Sequence, residues 1–207
     1  MRSDLRTPAQ KNHRIVQTLA VSAMMAALAS VLMFLELPLP LFPSFLKLDF
    51  SDFPALIAAF TCGPAAGVAV EIVKNLIHFL AGSRTAGVGE LANAIVGCAL
   101  VVPAGLIYRR RRTFAGALLG LAVGTLAMGL IGGLVNFFLL IPFYSHQIPM
   151  DKIIEMGAKI IPAINSKFKL VLYSIVPFNL LKGVLISAVT LLLYKHISRL
   201  LKIMKLR

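Results

Sequence analysis

Long runs free of charged residues constrain this chain more than any other feature. Residues 15–35 and 114–141 contain no Asp, Glu, Lys or Arg, and residues 88–108 and 170–194 hold one apiece, Glu90 and Lys182. About 20 apolar residues cross the hydrocarbon core of a bilayer. The remainder of the chain agrees: 58% of residues are hydrophobic and 14% charged, against roughly 25% charged in an average soluble domain. These features exclude a water-soluble fold. With 207 residues, about six spans use most of the length, so the expectation is one all-α membrane domain over residues 1–207 with no separate soluble domain.

The formal charge of +13 does not signal nucleic acid, because a polyanion binder gathers Lys and Arg on a solvated face or arm. Here the basic clusters flank apolar runs: Arg2, Arg6, Lys11 and Arg14; Arg109 to Arg112; and Lys195, Arg199, Lys202, Lys205 and Arg207. Such clusters read as orientation signals, concentrated on the cytoplasmic side. The spacing predicts helices over about 15–35, 52–62, 65–80, 88–108, 114–141 and 170–194, with a cytoplasmic tail over 1–14 and a basic one over 195–207. The segment 36–51, with Pro38, Pro40 and Pro43, reads as a structured loop. Ser51 and Asp52 are candidate caps, with Pro54 in the first helical turn. Counting crossings from a cytoplasmic N-terminus puts all three basic clusters and both termini inside, and the loop near Arg84 and residues 142–169 outside. A plasma-membrane, multi-pass protein follows.

Ala27-Leu28-Ala29 resembles a signal-peptidase site, but the apolar run continues beyond it and reads as a retained helix. Cys62 and Cys98 lie in apolar segments with no C-x-x-C spacing, so they read as buried thiols and no metal site is expected. No G-x-x-x-x-G-K-[ST] loop occurs, so ATP-driven work would need other chains. No internal repeat suggests the two corresponding halves of an inverted-repeat transporter.

Ionisable and polar groups at membrane depth are costly and therefore candidates for function. Glu71 and Lys74 are three residues apart on one helical face and read as a structural ion pair. Glu90 sits in the first turn of its helix, where a carboxylate favours the positive N-terminus, so capping alone can account for it and a role at a site stands as the alternative. Asn136, Asn179 and Lys182 fall in the outer halves of their helices and suggest a polar ligand site between helices, although hydrogen bonding to neighbouring helices alone is the alternative. Two small-residue stripes allow close helix approach: Ala23-x-x-x-Ala27, and Gly116-x-x-x-Gly120-x-x-x-Gly124. One can pack the bundle and the other meet a partner; the spacing does not say which.

Several stretches resemble one family. They are 42–55 (FPSFLKLDFSDFPA), Lys74-Asn75-Leu76, 85–93 (TAGVGELAN), Asn136 with Pro142 and Tyr144, and 177–183 (PFNLLKG). Together they are similar to the riboflavin-specific S components, the RibU family, of energy-coupling factor (ECF) vitamin transporters. The resemblance implies a six-transmembrane-helix S-component bundle that is not an enzyme, has no catalytic residues and takes riboflavin, with flavin mononucleotide a further candidate, as ligand rather than cofactor. It implies polar contacts from Asn136, Asn179 and Lys182, and main-chain and apolar contacts from Phe45, Leu46, Lys47, Leu48 and Asp49 and from Gly87, Val88, Gly89 and Glu90. It also implies docking of Ala23 and Ala27 on a transmembrane scaffold subunit coupled to two ATPase subunits, within membrane lipid. A flat, largely apolar ring with imide edges suits an apolar slot bearing a few placed hydrogen bonds. With no Trp in the chain, any aromatic wall comes from Phe or Tyr. Two other readings stand beside this one: an S component for another vitamin such as thiamine, and a membrane-embedded enzyme using Glu71, His78 or Glu90 as acid or base. The latter lacks an adjacent nucleophile, metal-ligand set or cofactor motif.

Overall fold

A computed structural model describes residues 8–83 and 85–194. The predicted tail residues Arg2 and Arg6, loop residue Arg84 and the basic tail over 195–207 lie outside the described residues.

Among the described residues, five helical spans are long and apolar enough to cross a membrane: Ile15–Met33, Pro64–Gly82, Val88–Arg110, Phe114–Ser145 and Lys167–Leu192. The first belongs to α1, Pro8–Met33, which starts well before the expected Ile15. Residues 8–14 contain no internal breaker, and a Pro at a helix start loses no needed donor, so the polar segment continues the helix instead of forming a tail. Next come β1, Leu37–Pro38, and β2, Lys47–Leu48, an antiparallel pair with Leu37 opposite Leu48. This minimal sheet is the one departure from an all-helical description among the described residues. It folds the proline-rich segment 36–51 back on itself.

The helix α2, Asp52–Cys62, has 11 residues, only ~16 Å at 1.5 Å per residue, about half the hydrocarbon thickness of ~30 Å. Gly63, at φ +111°, turns the chain directly into α3, Pro64–Gly82. Pairing of Asp52 with Lys74 shows that α2 runs back along the first half of α3. The second half of α3 therefore rises past the start of α2, and segment 36–51 occupies that end of the bundle.

Beyond the Ser83–Gly87 turn, α4, Val88–Arg110, and α5, Phe114–Val135, form the tightest helix pair. A Cβ on Gly120 would stand 2.8 Å from the Ala104 carbonyl oxygen, and one on Gly124 2.4 Å from that of Leu100. Both are closer than real Cβ contacts, so Gly120 and Gly124 of the stripe pack α5 against α4, while Gly116 lies against Arg111 in the turn between the two helices.

The fourth long span runs past its expected end at 141, and the last begins at Lys167 instead of 170. α5 passes through a π-helical turn, Asn136–Leu140, into α6, Ile141–Ser145. After α7, Met150–Ala158, the final span begins as α8, Lys167–Leu170, passes a second π turn, Val171–Ile175, and continues as α9, Val176–Leu192. Each π turn ends two residues before a proline, Pro142 or Pro177. Proline lacks an N–H and its ring clashes with the carbonyl four residues back; a widened turn accommodates both, so at Pro142 the helix continues where a stop was expected, and at Pro177 it continues as expected. Residues 142–169, expected as a loop, thus include α6 and α7.

Two apolar cores result. One joins the long helices through Ala29, Leu56, Val70, Leu100, Tyr108, Leu121, Met128 and Ile186. The other, made by Leu46, Ile141, Ile153, Ile164, Leu170, Ile175 and Phe178, fixes segment 36–51 and α7 over the end of the bundle that carries the Ser83–Gly87 turn.

Candidate functional site

Between these two cores lies a cavity of about 690 Å³, lined from segment 36–51 and from α1, α3, α4, α5, α7 and α9. The short α2 leaves room for it. Its size falls within the ~300–1,000 Å³ of ordinary small-molecule sites.

Asn136, Asn179 and Lys182, predicted to converge, all line this cavity. Each is buried, at 5–6% exposure. Asn136 Nδ2 donates to the Gly132 carbonyl at 2.8 Å, and Asn179 Nδ2 to that of Ile175 at 2.9 Å. Each amide thus satisfies one donor on its own helix and retains an acceptor oxygen and a second N–H for a ligand. Gly132 also gives Asn179 its place, since a Cβ there would stand 2.7 Å from the Asn179 Cγ.

Lys182 is not a free ammonium. Its Nζ donates to Asp49 Oδ2 at 2.8 Å and lies 3.1 Å from Asp52 Oδ2. Asp49, expected to offer main-chain or apolar contact, therefore contributes its carboxylate to Lys182. Asp49 also accepts from the Ser51 backbone N–H at 2.8 Å and from the Ser51 hydroxyl. Ser51, a candidate helix cap, makes no side-chain capping bond. Lys74 Nζ pairs with Asp52 Oδ1, donates to Ser51 Oγ at 2.8 Å and lies 2.9 Å from Glu71 Oε2. The expected Glu71–Lys74 pair is present, but as one part of a five-charge buried network.

Of the predicted loop residues, Phe45, Leu46, Lys47 and Asp49 reach the cavity wall, as do Gly89 and Glu90. Leu48, Gly87 and Val88 are not part of that wall. Leu48 is buried in β2 and alternates away from Lys47, while Gly87, at φ +89°, makes the turn that delivers Gly89 and Glu90. Lys47 pairs with Glu36 at the exposed rim. Glu90 does more than favour a helix start: it accepts from Ser83 Oγ at 2.8 Å and Thr85 Oγ1 at 3.0 Å, and contacts His78 Nδ1 at 3.0 Å. That web joins α3 to α4 at the mouth.

The aromatic wall comes from Phe34, Phe45, Tyr144 and Phe178. Phe45 faces Tyr144 with ring centroids 6.3 Å apart, and Phe178 is held edge-on by Phe42 at 5.3 Å. Sequence reasoning missed Asp52, Glu36, His78 as a wall residue, and Asn93, whose Oδ1 is buried without a hydrogen-bond partner beside the cavity. Charge accounting was the available signal for Asp52: two lysines at membrane depth require nearby carboxylates, Glu71 supplies one of them, and Asp49 and Asp52, just before and at the start of the short apolar helix α2, are candidates for the rest. The two cysteines are half-buried rather than buried.

Comparison with known proteins agrees with this architecture. The family model for the ECF transporter, substrate-specific component, matches residues 17–194. The chain is 35% identical to a protein named riboflavin transporter RibU from Staphylococcus aureus (strain TCH60), over 93% of this chain and 94% of that protein. It is 34% identical to riboflavin transporter FmnP from Bacillus subtilis (strain 168), over 86% of this chain and 90% of the relative. Among solved structures, one described as the S component of a bacterial ECF transporter superposes with a TM-score of 0.70 at 35% identity, covering 90% of this chain and 98% of its own. By the extent of these matches, the chain belongs to the substrate-specific components of ECF transporters.

Proposed function

We propose that this chain captures riboflavin at the outer face of a bacterial plasma membrane and delivers it to a transmembrane scaffold subunit driven by two ATPase subunits. The observation that carries this reading is the composition of the cavity: aromatic rings from Phe45, Tyr144 and Phe178 beside two half-satisfied amides, Asn136 and Asn179, and the ammonium of Lys182. A flat ring with imide edges needs such an apolar slot and a few convergent polar groups. The riboflavin transporters among the relatives support the choice of vitamin. The chain binds and does not catalyse. Flavin mononucleotide is a further candidate ligand.

In this reading the half-length α2 counts as the sixth helix of the S-component bundle, residues 1–207 form one membrane domain, and both termini lie in the cytoplasm. The proposed site comprises Asn136, Asn179 and Lys182, with Phe45, Leu46, Lys47, Asp49, Gly89 and Glu90 around them; Leu48, Gly87 and Val88 support the wall from behind. Ala23 and Ala27 are the docking face. Detergent-purified protein should quench riboflavin fluorescence and carry a flavin absorbance spectrum. A protein that fails to quench riboflavin fluorescence and instead binds thiamine by calorimetry would replace the vitamin in this proposal.

A further inference from the structure

Lys182 has a long, flexible side chain that gives up rotamer entropy when it is fixed. A ligand contact from such a group requires something to aim it. Asp49, its 2.8 Å partner, stands on segment 36–51 next to β2. Asp52 stands instead at the start of α2, fully buried, with one carboxylate oxygen toward each of two lysines: Oδ2 lies 3.1 Å from Lys182 Nζ, and Oδ1 pairs with Lys74 Nζ. Lys74 in turn sits on α3, fully buried, against Ser51 and Glu71. Neither Asp52 nor Lys74 borders the cavity, whereas Lys182 does.

We propose that Asp52 and Lys74 are positioning residues that act through Lys182: Lys74 fixes the Asp52 carboxylate, and that carboxylate holds the Lys182 ammonium with a donor directed at the ligand. The inference rests on the riboflavin reading above. Lys182 has three N–H donors. One is committed to Asp49, the Asp52 contact fixes the orientation of the ammonium, and the donors not used by Asp49 serve a ligand acceptor. Three carboxylates, Asp49, Asp52 and Glu71, surround two ammonium groups, Lys74 and Lys182. Removing Asp52 leaves Lys182 to follow segment 36–51 through Asp49 alone.

A double-mutant cycle on the full-length, detergent-purified chain tests this, with riboflavin fluorescence quenching and thermal unfolding measured on every variant. Asp52→Asn and Lys74→Met should each weaken riboflavin binding by about tenfold or more, as should Lys182→Ala, and neither should weaken it further in the Lys182→Ala background, because residues acting in one network are non-additive. Leu100→Ala, which empties a buried site in the inter-helix core, serves as the purely structural control: lower thermal stability with parental affinity. Asp52→Glu keeps the charge but moves it by one methylene; it should fold even where Asp52→Asn does not, and should also bind more weakly than the parent. Parental affinity in Asp52→Glu and Lys74→Met, or losses that add fully to that of Lys182→Ala, would overturn the inference while leaving the riboflavin reading intact. A parent that fails to quench riboflavin overturns both.

Discussion

Asn136 and Asn179 each use one N–H on a carbonyl of their own helix and keep an oxygen toward the cavity. Loss of either amide strands a ligand polar group in a desolvated pocket, at a cost of roughly 1–3 kcal/mol or about tenfold to a hundredfold in affinity. Asn136→Ala and Asn179→Ala should therefore weaken riboflavin quenching by that factor with helicity retained, and equal affinity in both would remove them from the site. Gly132 is a sharper probe because it does not line the cavity. A methyl there would meet the Asn179 amide at 2.7–2.8 Å, and overpacking of this kind costs about 1–3 kcal/mol. Gly132→Ala should reproduce the Asn179→Ala affinity loss in a titration, whereas Gly63→Ala, whose Cβ meets nothing within 4 Å, should alter stability through its φ of +111° without a comparable loss. Lys182→Ala differs from the asparagine variants in one respect: it also breaks a buried ion pair, for which about 3–5 kcal/mol is expected, so its stability should fall alongside its affinity.

The elements show which parts of this chain are legible in sequence. Apolar run length locates the long helices because a bilayer demands it, and helical spacing brings Asn179 and Lys182 to one face. Pro142 misleads: the expected helix over 114–141 ends just before it, yet the π turn there carries the span onward, an accommodation fixed by packing in three dimensions, whereas the helix expected over 170–194 already runs through Pro177. The Asp49–Lys182 pair, 133 residues apart in sequence, leaves no local signal either. Two small-residue stripes look alike in sequence, and only the packing separates them. Gly120 and Gly124 are pressed against α4, while Ala23 and Ala27 are exposed on α1, whose buried side is Ala26, Ala29, Ser30 and Met33. Small residues on an outward helix face permit close approach by another helix. Ala23→Leu and Ala27→Leu should therefore lower vitamin uptake by cells carrying the partner subunits while the isolated subunit binds riboflavin as before. Undiminished uptake in both variants would move the docking face off α1.

At the scale of the molecule, the cavity, segment 36–51, α7 and the Ser83–Gly87 turn all gather at one end of the bundle, and the Arg109–Arg112 turn between α4 and α5 lies at the other. The half-length α2 produces this polarity, because a full-length helix in its place would fill the end where the site sits. Charge supplies the direction in the membrane. Arg109 to Arg112 concentrate four basic residues in one short turn, whereas the cavity end mixes Lys47, Lys152, Lys159, Lys167 and Lys169 with Glu36, Asp49, Asp52, Asp151 and Glu155. Retention of Lys and Arg clusters in the cytoplasm would, in the proposed orientation, point the cavity outward, as capture of an external vitamin requires. The test uses single cysteines introduced into a chain whose Cys62 and Cys98 have been replaced by Ala, labelled in intact cells with a membrane-impermeant maleimide. Cysteines at Ser83, Thr85, Lys152 and Glu155 should label from outside, and one at Arg110 or Arg111 should label only after permeabilisation. Riboflavin added beforehand should slow labelling at Thr85, which borders the cavity, and not at Glu155, which is exposed away from it. External labelling at Arg110 or Arg111 would invert the molecule and set the cavity facing the cytoplasm, a geometry incompatible with capture from outside.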